Sequence, residues 1–433
     1  MTADSADRRR ADERDYGDPL RGFRSEFHLP ADDDGRPLIY FAGHSLGLQP
    51  RAAARLIQEE LDDWGRHGVL GHHTARRPWI RYHEELTAHT AELTGSGAHE
   101  VVNMNSLTVN LHLLMVSFYR PTASRFRVLI ERGAFPSDRY AVESQVRFHG
   151  FDPATALIEL APREGEDLLR AGDIERAIER AGETLALVLF PGVQYLTGQA
   201  FDLAPIVAAA HRMGAVAGFD LAHAIGNLEL GLHASGADFA VWCSYKYLNS
   251  GPGALAGAFV HERHADAFEL PRFSGWWGHD KATRFLMGPD FRPIPGAEGW
   301  QVSNPPILSA APLIASLDIF RRAGLSRLRE KSIALTGFLA DLVDRRLAGR
   351  VAIITPRDQA ARGNQLSLRI AGGVAVGRRV FAELEAEGAI TDWREPDLIR
   401  VGPTPLYNTF DEALRFVELL ERATAKAKAA RRP

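Results

Sequence analysis

Lys246 has the most unusual sequence surroundings of any ionisable residue in this chain. It stands in "WCSYKYLNSGPG", residues 242–253, between two tyrosines and ahead of a glycine-rich turn. Lysine ordinarily keeps its ammonium in water, so an apolar, aromatic frame has two readings. Either the side chain snorkels past the rings to solvent, or its amine is kept partly dry and acts as nucleophile and base. A second candidate stands upstream in "AVAGFDLAHAIGN". Asp220 follows directly on an apolar run, with His223 and Gly226 after it at D-x-x-H-x-x-G spacing. A carboxylate at the buried end of a strand is costly unless a cation or strong donors meet it. An internal arginine would serve, and so would the protonated ring nitrogen of a cofactor.

Two earlier stretches add to these. Ser106 and Thr108 open the apolar run "TVNLHLLMVSFY", and hydroxyls at a helix start either cap it or receive an anion such as phosphate. In "GAFPSDRY", Phe135 and Asp138 follow the strand-like "RFRVLIE". Singly, each feature has a plain reading as cap, turn or ion pair. In chain order they supply a phosphate cup, a stacking aromatic, a carboxylate for a ring nitrogen and a Schiff-base lysine. That is the equipment of a pyridoxal 5'-phosphate enzyme, in which the protein holds the ring and tunes its electronics.

Three short motifs point elsewhere. "GHSLG", residues 43–47, fits the G-x-S-x-G nucleophile elbow with Ser45 as nucleophile, but it precedes nearly all of the strands such an elbow follows. The bland reading is a tight glycine turn. "GPGALA" matches a degenerate dinucleotide fingerprint, yet the next residues read as a strand where a helix is required. "HERH", residues 261–264, lacks the H-E-x-x-H spacing, and His72 and His73 are adjacent, so the motifs support no metal site.

The elements that must position these residues alternate in type. "RPLIYF" is a short strand candidate, and "RAAARLIQEELDDWGRHG" after Pro50 has helical periodicity closing on glycine. From about residue 100 to 260, apolar strand runs ("RFRVLIE", "TALIEL", "LALVLF", "AVAGFD", "FAVWCSY", "LAGAFVH") alternate with helical patterns such as "LAPIVAAAHRMG". This order predicts an α/β layer with a largely parallel sheet, whose ligands sit beyond the strands' carboxyl ends. Past residue 310, two long helical stretches precede "VAIITP", "QLSLRI" and "LIRVG", which reads as a smaller α+β domain. The expected organisation is a flexible tail over residues 1–20, a large domain over 21–309 (with 21–65 as arm and first helix) and a small domain over 310–433.

Composition sets the outer limits. The 433 residues are 45% hydrophobic and 24% charged, with a net charge of −4, which gives no electrostatic case for nucleic acid or an anionic membrane. A single cysteine, Cys243, excludes an internal disulfide framework and fits a reducing cytoplasm. No window approaches the roughly 18 apolar residues a membrane span needs. The charged N-terminus and the basic end "ERATAKAKAARRP" are both expected in solvent.

Taken together, "GHSLGLQP", "GHHTARRPW", "NSLTVNLHLLMVSFY", "AFPSDRYA", "GFDLAHAIGN", "WCSYKYLNSGPG", "GWWGH", "VSNPPI" and "IRVGPTPLYNTF" resemble the kynureninases, from about residue 20 to residue 420. These are fold type I, aminotransferase-like pyridoxal-phosphate hydrolases. The resemblance implies a large domain with a mostly parallel, seven-stranded sheet flanked by helices and a smaller α+β domain. It implies Lys246 as the covalent cofactor lysine, Leu107, Thr108 and Tyr245 on the phosphate, and Phe135 against the ring. Asp138 and Asp220 would face the ring nitrogen with His223 close by, and Arg400 would take the substrate's α-carboxylate. Trp276 and Asn304 would complete the pocket from the partner subunit of a homodimer. Tyr245 with Lys246 is the expected acid–base relay. One departure stands at Pro191, where similar chains often carry a hydroxyl residue.

The implied reaction is hydrolysis of L-kynurenine or its 3-hydroxy form. His72, Ser303 and Asn304, with Ser45 near the substrate, imply a preference for 3-hydroxykynurenine, whose extra phenol polar groups would bond. Three rivals stand beside this reading. They are a cysteine desulfurase or lyase of the same class using Cys243, a serine hydrolase using Ser45, and a non-catalytic interaction protein.

Overall fold

A strand covered on both faces must be apolar at nearly every position, and the runs between residues 100 and 260 are of that kind. The computed structural model describes residues 3–429. Its strands, in chain order, are β1 (Ile39–Tyr40), β2 (Val101–Asn103), β3 (Arg127–Glu131), β4 (Leu157–Leu160), β5 (Leu185–Pro191), β6 (Val216–Asp220), β7 (Phe239–Trp242) and β8 (Gly257–Val260). They continue with β9 (Val351–Ile353), β10 (Leu366–Ile370), β11 (Ala389–Ile390), β12 (Asp392–Arg394) and β13 (Leu398–Val401).

The main sheet has seven strands in the order β2-β8-β7-β6-β5-β3-β4, parallel except where β8 runs against β2 and β7. Period-two alternation divides its side chains between two cores. Val188, Phe190, Phe219 and Trp242 face one, while Leu187, Leu189, Phe239 and Val241 face the other. The helices Leu107–Phe118 and Pro136–Phe148 cover the second face. The helices Ala171–Ala181, Leu203–Arg212 and Ile307–Ala323 cover the first. Proline opens the helix at Pro136, where its missing N–H costs nothing. Because β3, β5, β6 and β7 are parallel, their last residues Glu131, Pro191, Asp220 and Trp242 lie along one edge.

The smaller unit is a four-stranded antiparallel sheet of order β12-β13-β10-β9, packed with the helices Leu325–Arg346, Val374–Ala386 and Phe410–Ala429. Two boundaries differ from the sequence expectation. The helix Ile307–Ala323 buries Ala310, Leu313, Leu317 and Phe320 in the large core, and Leu328 still belongs there, whereas Leu335 onward belongs to the small core. The seam therefore runs inside Leu325–Arg346, not at residue 310. The N-terminal arm also crosses over: β1 pairs in parallel with β11, and Ile39 and Phe41 lie in the small core.

The expected free tail is likewise structured. Ala3–Tyr16 is a helix packed on Phe410–Ala429. Asp7, 2% exposed, pairs with Arg345 at 2.8 Å and Arg346 at 3.1 Å. Asp15 accepts from the amides of Phe410 and Asp411 at 2.8 and 2.9 Å, which caps the later helix from outside. A run of charges without a hydrophobic stretch looked like solvent, but its acids match the arginines and the helix end of this domain. At the other terminus the helix continues through Ala429, and residues 430–433 lie outside the described residues. Among the described residues, no helix is long and apolar enough to cross a membrane.

Candidate active site

The shared strand edge gathers the sequence candidates into one pocket. Leu107, Thr108, Phe135, Asp138, Asp220, His223, Tyr245 and Lys246 all line it, with Glu131, Ser137, Pro191 and Tyr195. At one end two helix starts converge. Thr108 Oγ1 lies 2.8 Å from Ser137 Oγ, each hydroxyl in the first turn of its helix. Ser106, the expected cap, makes no side-chain capping bond, so first-turn N–H groups stay available to an anion.

At the other end three acids meet. Asp220 ends β6 and accepts from the amide of Ala222 at 2.6 Å. Asp138 is buried, and its Oδ1 has no partner. Burial and then the charge of Asp220 hold the Asp138 carboxyl well above the usual range. Glu131, the last residue of β3, is pushed up to about 8 by burial, with Asp220 adding to the effect. Buried acids this short of donors need a cation to complete them.

Lys246 lies between these ends. It is 9% exposed, and its Nζ stands 3.1 Å from His223 Nε2. Burial, followed by repulsion from Lys246, holds His223 well below the ordinary histidine range, so the imidazole is neutral and Nζ donates to it. Phe135 forms the outer wall, edge-on to Tyr195 at 5.3 Å, with Lys246 Nζ 5.7 Å from its ring centre. The pocket continues toward the domain seam. Arg400, 1% exposed at the end of β13, donates to the Tyr195 carbonyl at 2.6 Å and pairs with Asp392, while its Nε has no partner. Asp392, not the neighbouring Glu395 or Asp397, is thus its counterion. His44 is fully buried beside it, 6.3 Å from the His223 ring and with neither ring nitrogen bonded.

The glycine motif around Ser45 serves packing. A Cβ on Gly47 would stand 2.2 Å from the Lys246 carbonyl oxygen, and the Gly47 amide donates to the Tyr245 carbonyl at 2.8 Å. The loop exists to lie against the lysine loop, and Ser45 does not line the pocket. Nor do His72, Trp276, Ser303 and Asn304. His72 packs edge-on against Trp79, and Trp276, Ser303 and Asn304 are exposed. The last three lie together, since Gly275 touches Val302 so closely that a Cβ there would meet its carbonyl oxygen at 2.1 Å. Cys243 is buried and burial raises its thiol pKa, which removes the mobile nucleophile a desulfurase reading needs.

Four residues of the site escaped the sequence reading: Glu131, Ser137, Tyr195 and His44. Glu131 carried the same signal as Asp220, an acid closing an apolar strand. Ser137 lay inside a quoted motif one residue from Asp138.

Comparison with known proteins places the chain. A family model described as Aminotransferase class-V matches residues 39–373, and one described as Kynureninase C-terminal domain matches residues 328–420. The kynureninase of Myxococcus xanthus (strain DK1622) is 60% identical over 407 residues, covering 94% of this chain and 95% of its own. That of Stenotrophomonas maltophilia (strain K279a) is 58% identical over 407 residues, covering 94% and 96%. Among solved structures, a cysteine desulfurase from Thermococcus onnurineus NA1 superposes with a TM-score of 0.73 at 19% identity, covering 90% of this chain and 95% of its own. The Escherichia coli cysteine desulfurase CsdA gives 0.75 at 16%, covering 95% and 98%. At such identities the likeness is one of fold.

The sheet order, the lysine pocket and these matches define a pyridoxal-phosphate-dependent enzyme of the aminotransferase class-V fold. Within that class the chain belongs to the kynureninase family, whose members are hydrolases. The pocket fits the cofactor on its own terms: free helix-start donors at one end, an unpartnered buried acid oxygen at the other, and a dry amine between.

Proposed function

We propose that this enzyme hydrolyses the Cβ–Cγ bond of L-kynurenine and 3-hydroxy-L-kynurenine, giving L-alanine and an anthranilate, with preference for the hydroxylated substrate. The observation that carries the reading is Lys246, dry and bonded to a neutral imidazole, between a phosphate-ready end and three acids. Bound pyridoxal phosphate supplies an electron sink for the α-carbon. Lys246 would hold it through Nζ, and its freed amine is the base placed to take the α-proton. His223 Nε2 accepts from that amine and keeps it aimed into the pocket. Thr108, Ser137 and Tyr245 hold the phosphate, Phe135 covers the ring, and Asp220 with Asp138 balances the ring nitrogen. Pro191 contributes wall without a donor, so the nitrogen end depends on the acids alone. Tyr245, whose hydroxyl burial keeps protonated far above neutral pH, is the proton donor beside Lys246. Arg400 Nε offers an unused donor toward a substrate carboxylate at the seam.

The preference for the phenol rests on His72, Ser303 and Asn304, with Ser45 beside the substrate path. All four stand outside their own chain's pocket, and so does Trp276, which shares an exposed patch with Ser303 and Asn304. A homodimer that lends them to the neighbouring pocket accounts for both facts. The patch is apolar as such a contact requires: Phe273 is 57% exposed, Phe285 52% and Leu286 75%. A single buried thiol fits a cytoplasmic enzyme. The test is a side-by-side measurement of kcat/KM for the two substrates, with a larger value for 3-hydroxykynurenine expected; a ratio favouring kynurenine ends the specificity claim. Mixing Lys246→Ala with Trp276→Ala subunits tests the shared site. Restored turnover in the mixture is expected, and none would rule out pockets built from two chains.

A further inference from the structure

Glu131 is given no role of its own in the reading above, yet it stands where two cavities touch. It lines the cofactor pocket, and it also lines a second cavity of about 220 Å³ at the domain seam, walled by Arg132, Asp167, Leu169, Arg369 and Asp397. Among the described residues, no other belongs to both linings. The second cavity carries charged side chains on its wall and has room for several waters. Arg369 bridges Asp167 at 2.9 Å and Asp397 at 2.8 Å, and Asp397 Oδ1 is buried without a partner.

We propose that Glu131 is a third acid of the cofactor site: standing behind Asp220, it fixes how many protons the nitrogen end holds and passes them to the domain seam. The groups facing it are Asp220 from β6, Asp138 from the helix Pro136–Phe148, Tyr195 after β5 and Lys246 after β7. Across the second cavity stand Arg132, Glu166, Asp167, Arg369 and Asp397. Three acids against one amine cannot all ionise in a dry pocket. Glu131, 4% exposed and pushed up to about 8 by burial, therefore holds its proton at pH 7 beside the likewise raised Asp138. The cation that a protonated ring nitrogen brings makes a further ionised carboxylate favourable. Loading the cofactor then drives the proton of the Glu131 carboxyl onto water in the second cavity and out to buffer. No bond other than O–H breaks. Glu131 acts through Asp220 and Asp138 and is a positioning residue.

The inference rests on the cofactor assignment and not on the hydrolysis, so its test uses cofactor binding to the apoprotein. Calorimetry of pyridoxal 5'-phosphate binding in two buffers of different ionisation heat, from about pH 6.5 to 8.5, counts the protons released. The wild type should release protons, fewer as pH rises through about 8, and Glu131→Gln should release fewer throughout while binding within about five-fold of wild type at pH 7. The apoproteins give a readout free of any ligand. A carboxyl whose folded pKa is raised stabilises fully below its unfolded value and loses that stability as pH rises toward the folded one. Melting temperature of wild-type apoprotein should therefore fall between about pH 5 and 8, and Glu131→Gln should flatten part of that fall. Superimposed proton-release curves, or a loss of cofactor affinity beyond about five-fold at pH 7, would overturn the proposal. Apoprotein that binds no pyridoxal phosphate would instead refute the cofactor assignment.

Discussion

Asp220 and Asp238 are buried aspartates at opposite ends of neighbouring parallel strands, β6 and β7, and their surroundings differ in what they supply. Asp238 accepts from His211 Nε2 at 2.8 Å, His264 Nε2 at 2.9 Å, Arg263 Nη1 at 2.9 Å and the Ala217 amide at 2.8 Å. These donors overcome its burial and hold its carboxyl far below the usual range. Asp220 has one amide and two acidic neighbours, and Asp138 beside it is driven the other way. A saturated acid is a fastener, because a ligand could add nothing to it. An acid left short of donors in a dry cavity is costly, and persists where a cationic ligand arrives to complete it.

The largest effect that separates the two is on chemistry. Asp220→Asn should lower kcat by about 10²–10³-fold, since it removes the charge facing the ring nitrogen, with little loss of melting temperature. Asp238→Asn should do the reverse. It should leave kcat within about two-fold but cost about 3 kcal/mol in denaturant unfolding, the low end for a broken buried pair because Arg263 and His211 retain water. A Asp238→Asn enzyme as stable as wild type would break the comparison. Next in size is Arg400→Lys. Losing the planar fork should raise KM by about 10- to 100-fold with the cofactor's absorbance unchanged, read by steady-state kinetics and spectra.

Asp238 and Asp138, the neighbour of Asp220, also set opposite slopes with pH. Asp238, with its pKa lowered, stabilises above its unfolded value near 3.8 and loses that contribution as pH falls. Asp138, with its pKa raised, loses stability as pH climbs from 3.8. Asp138→Asn apoprotein should thus gain about 1–2 kcal/mol at pH 7 and little at pH 4, by chemical denaturation at the two pH values. The smallest effect belongs to an acid that serves as a helix cap. Asp15→Ala should cost about 1 kcal/mol, the value of one helix cap, and leave turnover alone.

This contrast also explains what could be read from the sequence. Fully apolar runs announced the parallel strands, and residues closing those runs announced Asp220 and Lys246. Local order was enough there, because topology sends every such residue to one edge. Glu131 was equally visible by that rule but lay in a run read only for its strand. His44 was hidden, since its burial comes from Arg400, Asp392 and His223, all distant in sequence. "HERH" shows the same limit. Its Arg263 and His264 serve Asp238. His261, with His233, flanks the buried Glu100, to which His233 bonds at 3.0 Å. The N-terminal arm was misjudged for a related reason: its charges find their partners more than 300 residues away.

That arm has a consequence for how the protein is made. The helix Ala3–Tyr16 is made long before Phe410–Ala429, the helix against which it finds its place. The main sheet is complete once Val260 has emerged, so it can assemble while translation continues. The small domain cannot close until Phe410–Ala429 has emerged, and until then Ala11 and Asp15 stay unmatched. Completion of the second core is therefore the act that ties Ala3–Tyr16 to Phe410–Ala429, and it is also the act that brings Arg400 across the seam to Tyr195.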